Sequence, residues 1–185
     1  MSKRAFIIHG WDGIPNDSWK KWLKTELEKE GFEVIAPQLP GGEFPKLKEW
    51  LTLISSLVKT PDNETYFIGH SLGCISILKY LEQLPKNSKI GGAILVSGFI
   101  SSLKIKQVEN FFDKPLNTKL VKDKTDKIIA IHSDNDSYVP IEKAYEIEKE
   151  LNAKLIIEKS KGHYMAKEGI KNIPVLLTEI LEISK

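Results

Sequence analysis

The 185-residue chain contains one cysteine, Cys74, and one arginine, Arg4. A lone cysteine excludes an intrachain disulfide framework and a cysteine-rich zinc site. A lone arginine excludes clustered guanidinium clamps for phosphate or carboxylate. Charge of one sign is also lacking: 27 Lys+Arg stand against 25 Asp+Glu, a formal +2. That balance creates no basic field and argues against nucleic acid as a partner. Long apolar runs are missing too. After Met1-Ser2-Lys3-Arg4 only Ala5–Ile8 is apolar, too short for the core of a signal peptide. No run approaches the roughly 18 residues of a membrane helix. No G-x-x-x-x-G-K-[ST] occurs, which disfavours a phosphate-cradling nucleotide site, and no two of the four histidines stand at i, i+4, the spacing of a helical metal site. These absences lead to the expectation of a cytoplasmic protein with no metal, no other cofactor, and no nucleic-acid or membrane partner.

What is present is apolar sequence in short, regular packets. With 41% hydrophobic and 28% charged residues, the chain is rich enough in apolar side chains for a sizeable core, so residues 1–185 are expected to form one domain. Near-continuous apolar runs at Ala5–His9, Phe32–Ala36, Thr65–Gly69, Gly92–Ser97, Ile128–His132 and Lys154–Ile157 read as strands of a parallel sheet buried on both faces. Helical patterns lie between them. Ser18–Glu30 carries Trp19, Trp22, Leu23 and Leu27 on one face and stops at Gly31. Pro45–Lys59, Leu72–Leu84, Ile141–Leu151 and Ile173–Ile183 complete the set. Gly98–Lys127 is the longest irregular stretch, with short helices expected around Lys104–Phe112 and Asn117–Val121. The alternation predicts a three-layer α/β fold.

The third run leads into Gly69-His70-Ser71-Leu72-Gly73 and then a helix, a G-x-S-x-G in strand–turn–helix context. A sharp turn there holds Ser71 in a strained backbone conformation. Glycines two before and two after the serine are expected to keep two closely approaching segments from clashing. The helix start behind Ser71 supplies free N–H groups, and the Leu72 N–H is expected to face a developing oxyanion. A serine nucleophile needs a base, and the base an orienting carboxylate, in the chain order Ser, acid, His. After the fifth run comes His132-Ser133-Asp134-Asn135-Asp136-Ser137-Tyr138-Val139-Pro140, and after the sixth Lys161-Gly162-His163-Tyr164. Both follow strands and fall at the same sheet edge as Ser71. His163 is the only histidine beyond the acidic loop. Asp136 is the favoured acid because Asp-x-x-Val-Pro places it at the loop apex; Asp134 is the alternative, or caps the turn. The loop His9-Gly10-Trp11-Asp12-Gly13 is expected to give the second oxyanion N–H from Trp11, with its indole walling the pocket. His9 is read as a support of that loop, His70 as a residue whose backbone matters more than its ring, His132 as a strand-end residue, and Cys74 as buried packing. Phe99 is chosen as the apolar substrate contact, and Phe44 could face the same pocket.

These residues together resemble the α/β-hydrolases, and in particular the small retinoblastoma-binding-protein/YdeN group of serine hydrolases. The resemblance rests on His9-Gly10-Trp11, the Trp19/Trp22 helix, Ala36-Pro37-Gln38-Leu39-Pro40, the elbow around Ser71, the Asp136–Pro140 loop and Gly162-His163, from about Arg4 to the last helix. It implies a minimal fold of about six mainly parallel strands in the order 2-1-3-4-5-6, without a large lid. It also implies a catalytic Ser71, Asp136 and His163 and esterase-like activity on small substrates. With little sequence for a cap, short-acyl esters are the expected substrates. The competing readings are a thioesterase or amidase, and a protein-binding module in which the hydrolase site is residual.

Overall fold

The computed structural model describes residues 2–185. Six strands form one parallel sheet: β1 (Arg4–Ile8), β2 (Glu33–Ile35), β3 (Thr65–His70), β4 (Gly92–Val96), β5 (Ile128–Ser133) and β6 (Lys154–Glu158). Their order is β2-β1-β3-β4-β5-β6, as the sequence predicts. The order reverses direction at β1, so the crevice beside the C-terminal ends of β1 and β3 is where a site is expected in an open α/β sheet. The helices are α1 (Ser18–Lys29), α2 (Leu47–Val58), α3 (Leu72–Gln83), α4 (Thr118–Lys122), α5 (Glu142–Leu151) and α6 (Pro174–Ile183), with a 3₁₀ turn at Lys106–Phe111.

Successive strand residues point to opposite faces, so each strand feeds two cores. Ala5, Ile7, Ile68, Ile94, Val96, Ile129 and Ile131 pack against Trp19, Leu23 and Leu27 of α1 and Leu176 and Ile180 of α6. Phe6, Ile8, Phe67, Leu95 and Ala130 pack on the other side against Trp50, Ile54 and Val58 of α2, most of α3, and Ile147 of α5. Local chemistry sets the ends of the elements. Gly31, at φ +82°, lets the chain leave α1: its N–H bonds Glu28 O and the Phe32 N–H bonds Leu27 O, closing the helix in a Schellman motif. Pro174 opens α6, where its missing N–H costs nothing.

Two expectations need correction. Burial on both faces holds for the central strands but not for the edges. No residue of β6 is fully buried, and Ile157 is 41% exposed. β2 has three residues, only Val34 of them buried. Both are edge strands with a neighbour on one side only, and an apolar run alone does not reveal edge position. Trp22, expected on the same apolar face as Trp19, is only partly buried against the core.

His132 lies at the end of β5 with 0% exposure, and neither ring nitrogen has a hydrogen-bond partner among the described residues. Burial pushes its pKa down to about 4; the nearby Asp136 charge and the Gly98 backbone offset part of that effect, and His163 adds to it. In the unfolded chain the ring takes a proton near pH 6.5. Between these values the unfolded state binds more protons, so stability falls as pH drops through that window, by about 3 kcal/mol for this ring. Urea unfolding at pH 7.5 and pH 5 is expected to show a smaller acid loss for His132→Leu than for the unsubstituted protein. Equal losses would assign the acid sensitivity elsewhere.

Candidate active site

The turn between β3 and α3 places Ser71 at φ 52°, ψ −119°, a left-handed conformation that a non-glycine residue adopts only under constraint. The constraint is visible. Ser71 N–H donates to Val96 O at the end of β4 (2.9 Å), and the Cys74 N–H donates to Ser71 O (3.0 Å). The glycines make room, though not for each other. A Cβ on Gly73 would lie 2.3 Å from Ile8 O and 2.7 Å from His9 O, so Gly73 lets α3 press on the end of β1. A Cβ on Gly69 would lie 2.9 Å from the Cys74 backbone. Gly10 brings the first loop against the serine, since a Cβ there would lie 3.0 Å from Ser71 Cβ.

The loop after β1 is held by its own histidine. The Leu39 N–H donates to His9 Nε2 (2.9 Å), so the ring proton sits on Nδ1, which donates to Gly10 O (2.7 Å). Burial lowers the His9 pKa and keeps the ring neutral. The Trp11 indole N–H donates to Glu43 O (2.9 Å), tying this loop to the Gly41–Pro45 segment. Among the described residues, neither the Trp11 nor the Leu72 backbone N–H has an acceptor.

Asp136 sits at the apex of the loop after β5, with its side chain 1% exposed. Its Oδ2 accepts from His163 Nδ1 (2.8 Å) and Ser97 Oγ (2.8 Å), and its Oδ1 from the Tyr138 N–H (2.8 Å) and Val139 N–H (3.0 Å). Burial pushes the carboxyl pKa up, but the His163 bond and charge together with the Val139 and Tyr138 N–H groups outweigh it and hold it below the usual value. Asp134 is elsewhere: it is exposed, and its Oδ1 accepts from the Ser160 N–H (2.8 Å). The segment carrying His163 is bound through its backbone to the acidic loop. Lys161 N–H donates to Ser133 Oγ and Gly162 N–H to Asn135 Oδ1, each at 2.8 Å. Tyr164, buried at φ 55°, anchors the far side through its hydroxyl to His132 O (3.1 Å) and receives the Trp19 indole N–H on its carbonyl (2.9 Å).

The geometry thus unites His163 with Asp136. Their link to Ser71 runs through His70, whose ring lies 5.0 Å from the His163 ring. Ser71 Oγ itself makes no hydrogen bond among the described residues; such bonds commonly tighten only when substrate arrives. Phe99 departs from expectation. It is 3% exposed, within the core cluster, and stacked on Phe112 at 5.5 Å, so it presents little surface to a ligand. Phe44 is 59% exposed and lines a shallow concavity with Lys106 and Asn110 rather than the elbow. The aromatic beside His163 is Tyr138, at 5.1 Å between ring centroids.

Residues 5–181 match the profile of the family described as serine hydrolase. The chain belongs to the serine hydrolase family. It is 30% identical over 177 residues to YdeN of Bacillus subtilis, named as a hydrolase, covering 95% of this chain and 93% of that protein. It is 27% identical over 170 residues to the serine hydrolase RBBP9 of Rattus norvegicus, with 89% of each chain covered. The crystal structure of the ydeN gene product superposes with a TM-score of 0.94 over 98% of both chains at 29% identity.

Three groups around this candidate site escape sequence reading: Ser97, which bonds Asp136, carries no motif, Asn135, which bonds the Gly162 N–H, reads as an ordinary loop residue, and the His70 ring, expected to matter less than its backbone, packs beside His163. Cys74 is as expected. It is 0% exposed, and burial pushes its thiol well above the usual range. Iodoacetamide is therefore expected to leave the folded protein unmodified at pH 8 and to alkylate Cys74 once it is unfolded in urea; rapid labelling of the native protein would contradict this packing.

Proposed function

We propose that this serine hydrolase cleaves small carboxylic esters, with Ser71 as nucleophile, His163 as general base and acid, and Asp136 as the orienting carboxylate. The observation that carries the reading is the 2.8 Å bond between His163 Nδ1 and a buried, fully hydrogen-bonded Asp136, set beside a serine on a strained strand–helix turn. With Asp136 ionised, the His163 proton sits on Nδ1, leaving Nε2 free to accept from the Ser71 hydroxyl. As Ser71 Oγ attacks the ester carbonyl, the hydroxyl proton of Ser71 moves to Nε2 and the carbonyl oxygen becomes an oxyanion. The Trp11 and Leu72 N–H groups, without other acceptors, take the oxyanion. Collapse of the tetrahedral intermediate expels the alcohol, which receives the proton from Nε2 and leaves an acyl-serine. Water, deprotonated by the same ring, attacks the acyl-serine and returns the acid and free Ser71. No step calls for a cofactor.

Short-acyl substrates are favoured because little of the chain is available to form a cap. A concavity of about 1120 Å³ is lined by α2, α3 and the 3₁₀ turn, among them Leu47, Leu51, Lys79 and Phe111, and includes none of Ser71, Asp136 and His163. An open site suits a small acyl group better than a long lipid or a protein chain. The reading places the protein in the cytoplasm and requires no nucleic-acid, membrane or protein partner.

Intact mass after treatment with a small fluorophosphonate is expected to show one adduct, mapped to Ser71 and absent in Ser71→Ala. A well-folded protein that takes no adduct would overturn the reading and favour a binding protein with a residual site. Turnover of matched acetyl esters, thioesters and amides decides the bond class, with the ester expected to be fastest. Asp136→Asn is expected to lower kcat by roughly 10⁴-fold, because the amide favours the wrong imidazole tautomer. Asp134→Asn keeps an oxygen for the Ser160 N–H and is expected to retain activity within about threefold, well short of the tenfold that 1.4 kcal/mol would produce. The reverse ranking would make Asp134 the acid.

A further inference from the structure

The reaction above uses only the His163 ring, yet the most elaborate bonding around His163 is to its backbone. Its N–H donates to both carboxylate oxygens of Glu168 (3.0 and 2.9 Å), and its carbonyl accepts from His70 Nε2 (2.8 Å). Glu168 Oε2 also takes the Met165 N–H (2.8 Å), so one carboxylate gathers both ends of a tight turn. We propose that Glu168 and His70 are positioning residues that clamp the His163 peptide from its two sides and thereby aim Nε2 at Ser71. The proposal rests on the hydrolase reading of Ser71, His163 and Asp136.

Three features support it. First, the clamp completes the orientation of the ring. Bonds at the backbone N–H and C=O fix the peptide planes and so the Cα–Cβ direction, while the Asp136 bond at Nδ1 fixes the ring's rotation. With both set, the position of Nε2 follows. Second, the turn would not hold itself. Gly162 and Tyr164 on either side of His163 have φ of +57° and +55°, a left-handed pairing that costs energy at tyrosine and persists only when neighbours impose it. Third, the sequence leaves space for the clamp. A Cβ on Gly162 would lie 2.3 Å from Glu168 Oε1, so the glycine before His163 admits the carboxylate as well as the positive φ.

His70 has a further consequence. It is the residue immediately before Ser71, so its bond to His163 O joins the nucleophile's turn directly to the base's loop. A carbonyl can only accept, which places the His70 proton on Nε2. The ring is buried against Trp19 and His163 and is held neutral, so the clamp adds no positive charge beside the imidazolium that forms during the reaction. The motif's variable position thereby acquires a defined chemical requirement: a neutral donor at the reach of Nε2.

The test uses the full-length protein and a p-nitrophenyl acetate assay. Glutamine at position 70 offers an amide N–H at about the reach of Nε2, whereas asparagine falls short and leucine offers nothing. His70→Leu and His70→Asn are expected to lower kcat by roughly 10- to 100-fold, the scale of an ångström misplacement, with KM changed less than about twofold; His70→Gln is expected to restore most of the loss. Glu168→Leu is expected to behave like His70→Leu, and Glu168→Gln, which retains one acceptor oxygen, to lie between. The low-field proton resonance of His163 Nδ1–H is expected to persist in the Gln variants and broaden in the others, a readout independent of turnover. Should a leucine variant lose its fold by circular dichroism, the comparison of His70→Asn with His70→Gln decides. Wild-type kcat in His70→Asn, or equal losses in His70→Asn and His70→Gln, would overturn the clamp. An inactive wild type that takes no fluorophosphonate would overturn the hydrolase reading instead, and the resonance would still report on the clamp.

Discussion

An ionised carboxylate removed from water must be stabilised by the protein, and the arrangement of this site depends on how that is done for Asp136. Its side chain is almost fully covered, and burial alone would favour the neutral acid. The His163 bond and charge and the Val139 and Tyr138 N–H groups reverse that preference, and a fourth bond comes from Ser97, so the partners lie on different elements: Ser97 at the end of β4, Tyr138 and Val139 in the same loop, and His163 in the loop after β6. Satisfying the charge therefore requires three strand ends to meet at one point. Parallel strands provide that convergence because their C-terminal ends share an edge.

The same economy governs the loop that carries His163. Its backbone N–H groups are not left to solvent. Those of residues 160, 161 and 162 go to Asp134, Ser133 and Asn135, and that of 163 to Glu168. Asp134, Ser133 and Asn135 lie directly before Asp136, so one short acidic segment both supplies the orienting carboxylate and templates the loop that receives it. The two aspartates have separate tasks for this reason: Asp136 bonds the imidazole and Asp134 bonds the backbone just after the next strand, β6. A charge-assisted bond to an N–H at the surface and a buried bond to a ring look alike in a string of letters, and only the register of the two loops distinguishes them.

That contrast explains what was legible in the sequence. Strand and helix positions, and Ser71, Asp136 and His163 as candidates, follow from features with short reach: apolar periodicity, glycine spacing, and the position of each loop after a strand; the strand order came with the family resemblance. Chain-distant packing is not encoded that way. Phe99 closely follows β4, a position that by itself suits a contact with the site, but it turns inward and stacks on Phe112 because the stretch after β4 folds onto the core. Ser97 and Glu168 act across 39 and 5 residues respectively, through contacts that no local pattern announces. The edge character of β6 was hidden for a related reason, since whether a neighbour covers a strand depends on the whole topology.

Order at this site does not come from a lid. The longest stretch between strands, from the end of β4 to the start of β5, contributes Val108, Phe111 and Val121 to the interior and so stabilises the α2–α3 face instead of enclosing Ser71. An enzyme with a closing cap can position its groups as substrate binds, using part of the binding energy to do so. A chain without one has to hold its groups in place beforehand. The density of side-chain-to-backbone bonds around the His163 loop is what that requirement predicts. The positive φ values at Ser71, Gly162 and Tyr164 belong to the same account, as conformations the free chain would avoid and which the surrounding bonds maintain.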